Sequence, residues 1–270
     1  MNGGGAVKII VLVKQVPNTT QVKIDPKTNN LVREGVPSVI NAYDLYAVEE
    51  ALSLRERFGG TVTVLSMGPR QAAEALKYTM AMGADRAVLL SDRAFAGSDT
   101  LATSYTLAAG IRRLGVPDLI LCGKQAADGD TAQVPAELAE HLGIGCLTYV
   151  ARVQNISDGR ALVERTMDFA GIRAEVRLPA VLTVNKGINE PRLPALRDMV
   201  RAMYMECELM TAADVDVEEG SISLAGSPTQ VVKIFSPERK KGGRMLSGGT
   251  DEQVEELLRL LAEAKLVSAQ

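Results

Sequence analysis

The chain has 270 residues, 46% of them hydrophobic, with a formal net charge of −3. That length suits one large domain, or a domain with an appendage, and the charge gives no reason to expect nucleic acid or an anionic membrane. With no Trp, four Phe, six Tyr, one His and three separated cysteines, the composition argues against a base-stacking platform and against a zinc or iron–sulfur site.

Residues 1–5 carry three glycines and lack the basic start and apolar core of a signal peptide. Residues 7–13 are β-branched and nearly all apolar, which predicts a central parallel strand covered on both faces. Lys14 opens the loop that follows, at the carboxyl end of the strand, where open α/β sheets collect ligands. It suits pairing with a phosphate or an acidic group, or plain solvation. The turn residues 25–30 between two alternating stretches, 21–24 and 31–33, predict a small hairpin. Asn41 or Asp44 then caps a helix with Leu45, Val48, Leu52 and Arg55 on one face, and Gly59-Gly60 ends it.

Residues 61–66 predict the second strand, 71–82 a helix, 87–90 the third strand, 91–100 a longer loop and 101–114 another helix. Residues 118–122 are the fourth strand. It runs into Gly123-Lys124-Gln125-Ala126-Ala127-Asp128-Gly129-Asp130-Thr131-Ala132-Gln133-Val134, and a helix over 135–142 follows. This strand-to-helix turn is built of small and polar residues. Its glycines permit close approach, and the first N–H groups of the helix point back into it. That suits a phosphate site. Asp128 and Asp130 equally suit a simple helix cap, and the residues alone leave the two readings open. His141, late in the helix, suits the dipole there. Cys122, Cys146 and Cys207 read as buried thiols of a reducing compartment.

The regular alternation through residue 142 predicts a doubly wound, mostly parallel α/β sheet with helices on both faces. Beyond it, 147–153 and 161–166 flank Asp158-Gly159 as a hairpin. Residues 172–178 form another alternating strand and 179–184 a buried one, giving an antiparallel edge. Residues 198–209 are Met-rich and helix-compatible. Residues 211–250 are weakly patterned, with one apolar strand at 231–235 and a basic, Gly-rich linker. A last helix carries Val254, Leu257, Leu258 and Leu261 at helical spacing. The division is therefore an α/β domain over 1–210 and a C-terminal arm over 211–270. No dinucleotide fingerprint, P-loop or Ser/His/Asp arrangement is present, and no catalytic residue is visible. The pattern is that of a protein whose cofactor performs the chemistry.

Several blocks together resemble the β subunit of electron transfer flavoproteins over nearly the whole chain. They are Val11-Leu12-Val13-Lys14-Gln15-Val16, Asn41-Ala42-Tyr43-Asp44 with Ala47-Val48-Glu49-Glu50-Ala51, Ser66-Met67-Gly68-Pro69, Ala81-Met82-Gly83-Ala84-Asp85-Arg86, the 123–134 turn, and Asn189-Glu190-Pro191-Arg192. The resemblance implies an adenine-nucleotide-binding, Rossmann-like fold and a prokaryotic, cytoplasmic redox carrier. Its partners would be an α subunit, a flavin dehydrogenase and a low-potential acceptor such as ferredoxin, with no membrane insertion. Asp128-Gly129-Asp130-Thr131-Ala132-Gln133-Val134 and the loop 91–100 resemble the electron-bifurcating subfamily, in which this subunit holds FAD near an NADH site. The alternative is the ordinary type with structural AMP, and an alternative of another class is a stand-alone nucleotide-binding stress-type module.

The resemblance puts Leu12, Lys14, Asn41, Asp44, Met67 and Gly68 on the adenosine side. Gly123 and Asp128 to Val134 would wrap the phosphates, and Phe95, Ala96, Gly97 and Thr100 would approach the flavin ring. Leu196 would anchor a dehydrogenase, and the C-terminal helix would embrace the α subunit. Departures are Pro135 where Gly is usual, Ala42 where Pro is usual, and the Met-rich segment after Leu196. The two carboxylates of the turn are expected to face away from the phosphates or to cap the turn.

Overall fold

The computed structural model describes residues 6–18, 38–167, 170–232 and 242–267. The chain divides into two compact units, residues 1–232 and 233–270. The hairpin expected within residues 21–33 lies outside the described residues.

The first unit is built on strands β1 (Val7–Leu12), β4 (Gly60–Met67), β5 (Arg86–Leu90), β6 (Leu119–Gly123) and β10 (Ala180–Val184). All five are parallel, and their runs of apolar residues suit strands buried on both faces. The helices between them are α1 (Ala42–Phe58), α2 (Ala73–Met82, preceded by a 3₁₀ turn at Arg70–Ala72), α3 (Thr100–Leu114) and α4 (Val134–Leu142).

Strand alternation sends Ile9, Val11, Val62, Val64, Leu119, Leu121 and Leu182 to one face. They pack there on Val48, Leu52 and Leu54 of α1 and Leu76 of α2. Ile10, Leu12, Leu65, Val88, Ile120 and Val181 face the other way, onto Leu107 and Ile111 of α3 and Leu138 of α4. Two cores on the two faces of one sheet make the fold doubly wound.

The antiparallel edge is present and longer than its sequence pattern implies. Strand β7 (Gly145–Ser157) lies parallel to β10, then turns through β8 (Arg160–Met167) and β9 (Ala170–Arg177) as an antiparallel meander. With β11 (Glu208–Met210) at one edge, the sheet order is β11-β5-β4-β1-β6-β10-β7-β8-β9. A separate pair, β2 (Gln15–Pro17) with β3 (Ser38–Ile40), is antiparallel.

Two expectations are corrected. The helix expected over 198–209 is α5 (Leu196–Met203), and it stops early. Residues Glu208–Met210 form β11, a parallel edge strand on β5, held in part by an Arg86–Glu208 ion pair. The strand expected at 231–235 is absent at Val231 and Val232, which are exposed and without regular structure; its remainder lies outside the described residues. The second unit contains α6 (Thr250–Glu263), which exposes Val254, Leu257 and Leu258. Among the described residues no helix is long and apolar enough to cross a membrane.

Candidate functional site

From β1 the chain winds outward to β4 and β5 on one side, then returns to β6 on the other. The carboxyl ends of β1 and β6 therefore flank the topological switch point, where such sheets leave a crevice. A cavity of about 1070 Å³ opens there. Its walls come from the end of β1 (Leu12, Lys14), the start of α1 (Asn41, Asp44), the end of β4 (Met67, Gly68), the loop before α3 (Phe95, Ala96, Gly97, Thr100) and the 123–134 turn. Of the cofactor residues named from the sequence, Asp130 alone does not line it.

Close approach of α1 to β6 fixes the floor. A Cβ on Gly123 would lie 2.7 Å from the Tyr43 carbonyl carbon and 2.8 Å from the Asp44 nitrogen, and closer still to Asp44 Oδ1. Only glycine lets the first turn of α1 sit on the strand end. Asp44 is buried under this contact. Its carboxylate accepts the Lys14 N–H at 2.7 Å and the Asn41 Nδ2–H at 2.9 Å. Burial nevertheless pushes its pKa up to about 7, against those donors, the Lys14 charge and the Gly123 N–H.

Asn41 is spent on the wall itself. Its amide also donates to Gln125 O at 2.8 Å and accepts from Ala127 N–H at 3.1 Å, so it ties the turn to α1. Its side chain makes no cap bond to the helix it precedes.

The turn's two carboxylates have different fates, and neither caps α4, whose preceding residue is Gln133. Asp128 Oδ1 pairs with Lys14 Nζ at 2.6 Å, across the cavity mouth. Asp130 is held by the Gln125 side-chain amide, away from the lining. Asp130 and Ala132 both adopt positive φ (53° and 56°), a costly conformation for residues with a Cβ. Among the described residues, the N–H groups of Gly129, Thr131, Ala132 and Gln133 donate to no protein acceptor, and all four residues line the cavity. Pro135, in the first turn of α4, has no N–H to satisfy. Free donors at a helix start, with one nearby carboxylate neutralised by lysine, suit a phosphate or pyrophosphate.

The opposite wall is braced by residues that the sequence pattern did not single out. Asp92 accepts from Ala94 N–H and Ala212 N–H, both at 3.0 Å, and these bonds hold its pKa down. Asp99 caps α3 through Ala102 N–H and accepts from Thr229 N–H at 3.0 Å and Thr229 Oγ1 at 2.7 Å. Burial works to raise its pKa, but these donors keep it low. Ala212 and Thr229 thus brace this wall, and Thr211 lines it. The signal available beforehand was an Asp before each helical turn; its second partners lie more than a hundred residues away. Phe95 is buried, so it offers an edge of the lining rather than an exposed ring. Cys122 is a buried thiol, and burial raises its pKa and disfavours the thiolate. Leu196 sits far from this chemistry in role: it opens α5 and is 78% exposed.

The electron transfer flavoprotein domain model matches residues 28–221. An electron transfer flavoprotein subunit beta of Thermoanaerobacterium thermosaccharolyticum is 45% identical, over 94% of this chain and 98% of its own. The chain belongs to the electron transfer flavoprotein β-subunit family. Another relative of the family, the caffeyl-CoA reductase-Etf complex subunit CarD of Acetobacterium woodii, is 46% identical over 92% of this chain and 95% of its own. Protein FixA of Azorhizobium caulinodans is also 46% identical, over 85% and 84%. The α/β fold expected of an electron transfer flavoprotein β subunit is the one observed, and members of this family pair with an α subunit.

Proposed function

We propose that the chain binds FAD in the switch-point cavity and serves NADH-dependent electron bifurcation, within a heterodimer with an electron transfer flavoprotein α subunit. The acceptors are a low-potential carrier such as ferredoxin and, through the α subunit, a dehydrogenase of the acyl-CoA type. The observation that carries this reading is the cavity's extent. It continues from the α1 start past the 123–134 turn to Phe95, Ala96, Gly97 and Thr100, and at about 1070 Å³ it has room for a dinucleotide.

The residues present fit a dinucleotide. The N–H groups of Gly129, Thr131, Ala132 and Gln133, which donate to no acceptor among the described residues, would hold the pyrophosphate. Lys14 offsets Asp128 beside them. Leu12, Met67 and Gly68 would flank the adenosine, and the braced loop from Phe95 to Thr100 would orient the ring system and limit water around it. Bound there, FAD supplies hydride acceptance from NADH and one-electron exchange. No residue of the chain is asked to act as acid or base; its part is binding and positioning.

Leu196 and its exposed neighbours in α5 are assigned to the dehydrogenase. The Acetobacterium relative is named as a subunit of a caffeyl-CoA reductase-Etf complex, in keeping with that partner. The exposed apolar side of α6 is assigned to the α subunit. Anaerobic titration of the purified heterodimer together with its partner dehydrogenase tests the reading. NADH should bleach flavin absorbance and reduce ferredoxin only while a CoA-ester acceptor is also being reduced. Reduction by NADH that never couples the two acceptors would reject it.

A further inference from the structure

Helix α1 presents a row of carboxylates to the segment that precedes α5. Glu49 and Glu50 are adjacent in sequence and both only 6% exposed, and Glu56 follows two turns later near the surface. Burying neighbouring carboxylates is unfavourable unless they are paired. Arg192 pairs with the first. Its Nε and Nη2 donate to the two oxygens of Glu49, both at 2.8 Å, as a fork. Its backbone N–H adds a third bond to Glu49 at 3.0 Å, and Nη1 reaches Glu56 at 2.7 Å. Asn189 Nδ2 donates to Tyr46 O at 3.0 Å and to Glu50 at 3.2 Å. Residues 189–192 are thereby fastened to three turns of α1.

What comes directly after this clamp is the opposite in character. Leu193 is 86% exposed and Leu196 78%, and Met203 and Tyr204 at the far end of α5 are also bare. Residues 189–195 have no regular secondary structure to hold them. Helix α5 is secured at its far end by Ala202, which is buried in the core on the α1 and α2 face of the sheet. At its near end the fastening is the Arg192 clamp.

We propose that Arg192 is a positioning residue for partner docking: its fork on Glu49, with Glu56 and the Asn189–Glu50 bond, presets the exposed face of Leu193, Leu196 and Met203 that receives the dehydrogenase. This rests on the docking role given above to Leu196. A face fixed before encounter spares the complex the ordering of a loop and its apolar side chains. A lysine would keep the charge but lose the planar fork, so it is not an equivalent residue here.

The test uses the purified heterodimer with an acyl-CoA-type dehydrogenase to which it passes electrons. Three variants are compared: Arg192→Lys, Arg192→Met combined with Glu49→Gln, so that no buried carboxylate is left unpaired, and Leu196→Ala. Hydrogen exchange is followed over residues 193–204, with KM and kcat for the dehydrogenase and the flavin content. In the double variant, amides of 193–204 should exchange about tenfold faster. KM should rise about fivefold with kcat and flavin content unchanged, and Arg192→Lys should fall between. Leu196→Ala should raise KM without changing exchange. Unchanged exchange and KM in the double variant would overturn the proposal. So would faster exchange throughout α1 with loss of flavin, since Arg192 would then hold the fold and not the face. An unchanged KM in Leu196→Ala would instead overturn the docking reading itself.

Discussion

Gly123→Ala probes the contact on which the cavity floor depends. The added methyl meets backbone on one side, 2.7 Å from the Tyr43 carbonyl carbon and 2.8 Å from the Asp44 nitrogen, and the Asp44 carboxylate on the other. Neither can step aside. The Asp44 N–H is bonded to Asn41 O at 2.9 Å, and its carboxylate accepts from Lys14 N–H and Asn41 Nδ2. Forced overpacking of this kind costs about 1–3 kcal/mol, and losing one of the buried bonds adds about 1–2 kcal/mol. A destabilisation of roughly 3 kcal/mol follows from those two contributions. Gly129→Ala is the internal control, because a Cβ there meets nothing within 4 Å; its effect should stay within about 0.5 kcal/mol. Urea unfolding of the purified complex, followed by circular dichroism, should give a clearly lower midpoint for Gly123→Ala and an unchanged one for Gly129→Ala. Equal midpoints for the two variants would refute the close-approach argument.

Two further outcomes follow from the same wall. Asp44 has a folded-state pKa raised to about 7, so the folded protein holds a proton that the unfolded chain releases near pH 4. Its contribution to stability is therefore present at low pH and lost as pH rises through about 7, by on the order of 4 kcal/mol; Asp44→Asn should flatten that part of the stability profile, and parallel profiles in urea melts at pH 5 and pH 8 would contradict this. Lys14→Met leaves Asp128 unneutralised beside those N–H groups and should weaken retention of the bound nucleotide, by up to about fivefold for so exposed a pair. Adding Asp128→Asn should restore much of it, as equilibrium dialysis against free FAD would read.

The parallel core was legible because strands buried on both faces must be continuous apolar runs, as residues 7–13 and 118–122 are. The strand-to-helix turn over 123–134 was legible as a turn, but its residues suited a helix cap as well as a phosphate site, and nothing local chose between them. Strand order was not legible. Nothing local to residues 180–184 says that β10 inserts between β6 and β7. The segment 198–209 misled because its composition is helix-compatible throughout. What ends α5 is the pairing of β11 with β5, a contact about 120 residues away in sequence. The same distance problem hid the Lys14–Asp128 pair and the Asp99–Thr229 brace. In both, the sequence shows an available charge but not its partner.

This subunit is proposed to hold FAD and not AMP. Acid release of bound nucleotides from the freshly purified α/β heterodimer, separated by chromatography and counted against protein, tests it most directly. With one FAD expected in the α subunit, as the family resemblance implies, a second FAD in this chain should give two FAD per heterodimer and no AMP. One FAD with one AMP would contradict it.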